Sequence, residues 1–348
     1  MAAAPDPRGH PAWYGAVMGT GALALAVAAQ EPVWAWSWLG WLSVALLWLA
    51  SALALVLLPR YVRRVGDRAR LRHEIADAAH GPMLATLPAG LLVVAVGWGR
   101  IGPDAVPAGV ARGIAIALLV AGVLIATALG LAWSASVLTA SHGLEGVNGG
   151  WLIPPVMNLL VPLALAPLIV EFPVAAPLLV LVGFAFLGVG FVIFMAVLTL
   201  LIARLALRDP LPAAMAPSLW IPLAPAGIIG LSTLRLLQAA EAAGVSGFTG
   251  IAAGLVVSAM GLGFGLWWAG FAALELQRIR RSGGPPVHPG WWGFVFPVGA
   301  MTLSLTAVGG ASGVRSIQVL GLVATVGLAA LWGYVAITTA PLARRRSP

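Results

Sequence analysis

Cysteine is absent from this chain, and so is lysine. Without cysteine there is no disulfide framework, no thiolate nucleophile and no cysteine metal site. Charge of either sign is scarce. Asp, Glu, Lys and Arg make up 9% of the 348 residues, where a soluble domain carries roughly 25%. So few charges cannot cover a globular surface in water. No stretch is long or polar enough to form a second, soluble domain, so residues 1–348 read as one transmembrane domain. A cluster of ionisable groups at one depth, which an enzyme in lipid would need, is also missing, so no catalytic residue is expected. The five histidines are His10, His73, His80, His142 and His288. They fall in loops or at span ends, without metal-ligand spacing. They read as solvated loop residues, and neither metal nor cofactor is expected.

What fills the chain instead is a succession of apolar runs near 20 residues long, the length needed to cross roughly 30 Å of hydrocarbon. Ten spans are expected, at 12–30, 35–58, 80–99, 113–136, 151–170, 174–203, 218–238, 248–274, 291–309 and 316–339. The fold class is thus an all-α integral membrane protein, because lipid cannot satisfy open backbone groups. A β-barrel would show alternating ten-residue segments, and these runs are continuous. Arg8 ahead of an apolar stretch and Ala26-Val27-Ala28 after it resemble a signal peptide. Gly19, Thr20 and Gly21 in its middle, and the helix that cleavage would leave unpaired, favour a retained first span.

All 19 basic residues are arginine, and the net charge is +8. Nucleic acid is not the expected partner, because the arginines sit in loops between apolar runs. With both termini inside, the inner segments carry Arg8, Arg60, Arg63, Arg64, Arg68, Arg70, Arg72, Arg204, Arg208, Arg278, Arg280, Arg281, Arg344, Arg345 and Arg346. The outer loops carry Arg100, Arg112 and Arg315, and Arg235 falls near the outer end of the seventh span. This asymmetry predicts a multi-pass protein of the cell membrane with cytoplasmic termini.

Proline is distributed unevenly. The odd spans hold Pro82, Pro88, Pro154, Pro155, Pro162, Pro167, Pro222, Pro225 and Pro297; the even spans hold Pro177. Interior proline kinks a helix and is tolerated in membranes where freed carbonyls face protein or a wet cavity. The odd spans also carry Thr20, Thr86, Asn158, Ser232, Thr233, Thr302, Ser304 and Thr306, while the even spans are mostly Leu, Ala, Val and Gly. The simplest arrangement is five helical hairpins, each with a kinked odd helix inside and an even helix outside. Five kinked helices around an axis would enclose a path; packed without a gap they would make a solid bundle.

Each odd span has its own signature: Met18-Gly19-Thr20-Gly21; Pro82 to Pro88; Ile153-Pro154-Pro155; Ala224-Pro225-Ala226-Gly227; and Trp291-Trp292 followed by Phe296-Pro297. In this order they resemble the tellurite-resistance and C4-dicarboxylate transporter family. That family includes fungal malate permeases, fungal sulfite pumps and the slow-type anion channels of plant guard cells. The resemblance covers about residues 12–340. It implies a quasi-fivefold arrangement of the hairpins around a central pore lined by the odd helices, and a homotrimer with one pore per subunit. It also implies that a phenylalanine on the ninth helix closes the pore. The matching residue is Phe296, with Phe294 as the rival, roughly 200° around the helix.

The candidate pore-lining groups are Thr20, Thr86, Asn158, Ser232 and Thr302, with helix kinks at Pro88, Pro162, Pro225 and Pro297. Asn158 either meets a passing anion or bonds a neighbour. Arg235 either draws anions into a vestibule or snorkels to headgroups. The Gly261 to Gly265 run reads as close packing of membrane helices. The expected partners are small inorganic or carboxylate anions and the lipid bilayer. A proton-coupled exporter of dicarboxylate, sulfite or tellurite-type oxyanions is the alternative to a channel. The scarcity of acids within the spans argues against a proton relay.

Overall fold

The computed structural model describes residues 10–139, 143–248 and 250–344; Arg8, His142, Arg345 and Arg346 lie outside them. Ten helices are long and apolar enough to cross a membrane: Pro11–Trp34, Trp38–Arg64, Gly81–Arg100, Ala108–Thr139, Gly149–Glu171, Ala176–Leu207, Ala213–Ala242, Ala252–Arg281, Pro289–Ser312 and Arg315–Ala343. No strand occurs among the described residues. Several even spans run further than the apolar pattern predicts. The fourth continues to Thr139 and the eighth to Arg281. Arginine is a good helix former, so charge ends the hydrophobic run without ending the helix.

The odd and even spans differ in what they touch. In their most apolar stretches the odd spans are 61–89% buried by protein, the even spans 22–33%. Each odd span packs on the even span that follows it. The odd spans also contact one another in a cycle: first on third, third on fifth, fifth on seventh, seventh on ninth, and ninth on first. The even spans turn residues such as Leu124, Leu131, Leu178, Met260 and Ile337 outward. In water that apolar surface would be costly; in a bilayer it is solvated.

Every odd span begins with a 3₁₀ segment: Pro11–Trp13, Gly81–Ala85, Gly149–Leu152, Ala213–Trp220 and Pro289–Trp291. No even span does. In four of the five the local cause is proline or glycine in the first turn, where a missing N–H partner costs nothing; Ala213–Trp220 instead follows Pro212 and holds Pro217 inside. Pro162 and Pro297 lie inside α-helix. Pro88 and Pro225 instead occupy the first turn of theirs, directly after the 3₁₀ stretch, and remove no helical hydrogen bond there. Pro177 is likewise at the start of its helix.

The seventh and eighth spans approach backbone to backbone. A Cβ on Gly261 would run into the Ala226 carbonyl, and one on Gly230 into Ser258. Gly263, between Gly261 and Gly265 in sequence, faces open space. The glycine run thus serves packing on one side of the helix.

Candidate functional site: the axis of the odd spans

All five odd spans contribute to two cavities, one above the other. The first, of about 70 Å3, lies where the odd spans begin (the near end), and its wall includes Met18, Met83, Val156, Ile221, Ala224 and Phe296. The second, of about 20 Å3, lies further along, among Ala22, Val93, Leu160, Leu231, Leu303 and again Phe296. Among the described residues, Phe296 alone borders both. Its ring is 6% exposed and sits directly before the helix-interior Pro297. Phe294 borders neither cavity. Its ring packs edge-on against Trp220 and Trp291, with centroids 6.0 and 5.9 Å away.

Most of the hydroxyls and the amide singled out in the sequence are spent on helix contacts; the buried Ser304 Oγ has no hydrogen-bond partner among the described residues. Thr86 borders the near cavity, and its single hydroxyl proton lies within reach of two carbonyls, those of Pro11 (2.9 Å) and Met83 (2.7 Å). Thr20 is fully buried and accepts the indole N–H of Trp332 at 2.9 Å. Ser232 donates to the Leu159 carbonyl at 2.8 Å, tying the seventh span to the fifth. Asn158 donates to the Pro154 carbonyl at 3.1 Å and Thr302 to that of Val298 at 2.9 Å, each one turn back in its own helix. Thr20, Asn158, Ser232 and Thr302 border neither cavity. The wall of the smaller cavity is wholly aliphatic apart from Phe296.

Sequence reading passed over the groups that hold the two ends. At the near end, His10 Nδ1 accepts the Ala12 N–H at 3.2 Å and His288 Nδ1 the Gly290 N–H at 3.0 Å. Asn148 Oδ1 does the same for Gly150 at 2.8 Å. Three odd spans are thus capped alike. His10 and His288 are not solvated loop residues. The His10 ring lies 5.7 Å from that of His80, which pairs with Asp77 at 3.1 Å, and His288 borders the near cavity. Burial first, and then the charges of His80, Arg64 and His288, lower the His10 pKa to about 4 against the pull of Glu74. His288 is lowered by burial, opposed by its hydrogen bond to the Ala214 carbonyl. His73 is exposed. The signal that could have located the caps was the repeated His-Pro at 10–11 and 288–289.

At the far end, Gln30 is 1% exposed. Its Nε2 donates to Thr306 (3.2 Å) and Thr325 (2.9 Å), and its Oε1 accepts from Trp34 Nε1 at 3.0 Å. That locks the first, ninth and tenth spans together with every Gln30 group satisfied. Arg235, also at the far end, donates to Gln238 Oε1 at 2.9 Å.

Ten membrane-length helices, with the odd ones gathered about two axial cavities, define a multi-pass membrane protein built around its own axis. Residues 8–340 match the family model described as voltage-dependent anion channel. The chain belongs to that family, and it is a membrane transport protein rather than an enzyme. It is 30% identical to an uncharacterized transporter of Methanocaldococcus jannaschii over 84% of this chain and 82% of that one. It is also 24% identical to sulfite efflux pumps of Arthroderma otae and Trichophyton rubrum, over 93% of this chain and 88% of theirs.

Proposed function

We propose that the chain forms an anion-conducting pore along the axis of the five odd spans, closed at Phe296, with both termini in the cytoplasm. The observation that carries this reading is that Phe296 alone borders both axial cavities. Its ring stands between a near cavity of about 70 Å3 and a far one of about 20 Å3. An ion there meets aliphatic side chains that return no hydrogen bond, which is the basis of a dewetted gate. Of the groups expected to line the path, Thr86, Asn158, Ser232 and Thr302 are bound to carbonyls and Thr20 to an indole N–H, so the wall beyond the ring offers little to tell one small anion from another. Selection then rests on charge at the mouths.

Passive conduction is favoured over coupling because, among the described residues, no carboxylate borders either axial cavity, and a proton relay through lipid needs such groups. The sulfite efflux pumps among the relatives keep one second reading in play, an oxyanion exporter. The deciding experiment is current recording in planar bilayers with asymmetric salt and stepwise replacement of chloride by nitrate, sulfite and malate. A reversal potential that follows the anion gradient and ignores protons supports the pore. Flux that requires a proton gradient supports the exporter.

A further inference from the structure

The far wall of the path can be followed one turn beyond the smaller cavity. Ile228 and Leu231 of the seventh span and Val93 and Val96 of the third border that cavity. A helix brings position i+7 back to nearly the same face two turns on. Seven residues after Ile228 is Arg235, and seven after Val93 is Arg100. The same step on the remaining odd spans leads from Ala22 to Ala29, from Leu160 to Pro167 and from Ala300 to Ala307. The layer at the far mouth therefore holds two guanidinium groups among three small apolar residues.

The third and seventh spans are not neighbours in the cycle, since the fifth separates them on one side and the first and ninth on the other. Their arginines thus approach from different sides of the cycle, Arg235 half-buried and Arg100 exposed at the end of its helix. Neither has an ion pair among the described residues. Arg235 is bonded to the neutral Gln238. The nearby acid of the fifth span, Glu171, is taken by Arg112, and Arg315 lies over the Trp34 ring at 3.9 Å. Two like charges set in one layer around the axis are stabilised by an anion held between them.

We propose that Arg100 and Arg235 together form an anion-binding site at the far mouth of the path, external under the topology proposed above. Its ligand is a small monovalent or divalent inorganic anion or a short carboxylate, gripped by both guanidinium groups as it passes. The site rests on the pore reading and deepens it, by placing charge selection at this mouth rather than along the aliphatic wall.

The test uses the full chain carrying Phe296→Ala, so that the gate does not limit current. Conductance is measured against chloride on the far side, with gluconate as replacement. In Arg100→Gln/Arg235→Gln the half-saturating chloride should rise about fivefold or more, within the range that charged clefts reach by concentrating ions. Each single variant should fall between, and dependence on near-side chloride should not change. An unchanged far-side half-saturation in the double variant overturns the site. A second readout separates this from failure of the pore. Replacing gluconate by nitrate at constant ionic strength should raise the unfolding temperature of the detergent-purified parent but not of the double variant, whether or not either conducts. An equal rise in both overturns the site.

Discussion

Removing the Phe296 ring is the sharpest perturbation of the path. In Phe296→Ala the near and far cavities, about 70 and 20 Å3, merge through the space the ring vacates. No charge is added and no hydrogen bond is lost. A dehydrated ion in an apolar constriction faces an effective penalty of several kcal/mol. If the opening relieves about 3 kcal/mol of it, flux rises roughly 150-fold, since each 1.36 kcal/mol is a factor of ten. Stability falls at the same time. A core Phe→Ala change costs about 3–5 kcal/mol, and the lower figure applies here because the ring already borders two voids. The assay is single-channel and macroscopic current in chloride and in nitrate, with the parent and Phe294→Ala alongside. Phe294→Ala should lose its edge-on contacts with Trp220 and Trp291 and destabilise the fold, while current stays at the parent level. Current in Phe294→Ala but not in Phe296→Ala would refute the gate assignment. Cation permeation in Phe296→Ala would refute charge selection at the mouths.

Three further outcomes are expected. Single cysteines at Met18 or Thr86 should react with small charged thiol reagents from the near side. Cysteines at Ala22 or Val93 should react from that side only when Phe296 is also Ala, and those at Thr20 or Ser232 should remain unreactive; ready labelling of Ser232 would contradict its buried position. Gly261→Ala should cost about 1–3 kcal/mol through overpacking, while Gly263→Ala, facing open space, should be neutral or slightly stabilising in thermal unfolding. His10 binds its proton less readily folded than unfolded, so the unfolded state holds more protons between pH 6.5 and about 4. Stability should therefore decline as pH falls through that window, and His10→Asn, which keeps a cap acceptor, should flatten the decline.

The ten spans were legible because the bilayer imposes a length and forbids anything but helix, so composition alone locates them. Their ends were less so, because Arg281 continues a helix that its charge was expected to stop. The 3₁₀ starts and the His10 and His288 caps escaped notice, since a histidine beside a proline looks like loop until the geometry shows its Nδ1 facing an amide two residues on. The polar candidates show a different limit. Thr302 and Asn158 sit in odd helices as expected, but a short polar side chain in an apolar helix bonds the carbonyl one turn back more readily than it waits for a ligand. Periodicity could place a residue in the right helix without telling which face it used. Phe296 and Phe294 illustrate the same point: the motif offered two rings, and the cavities separate them.

A single chain closes the cycle of odd helices, from the first span back to the ninth. Under the pore proposed above, each copy carries a complete path, whatever number of copies associate in the membrane, and none borrows a wall from its neighbour. A blocked copy mixed with active ones should therefore subtract current in proportion to its share of the population. The steep, power-law poisoning seen where subunits jointly build one pore should not occur. Inheritance of a defective allele would follow the same arithmetic, leaving about half the transport capacity when half the copies are sound.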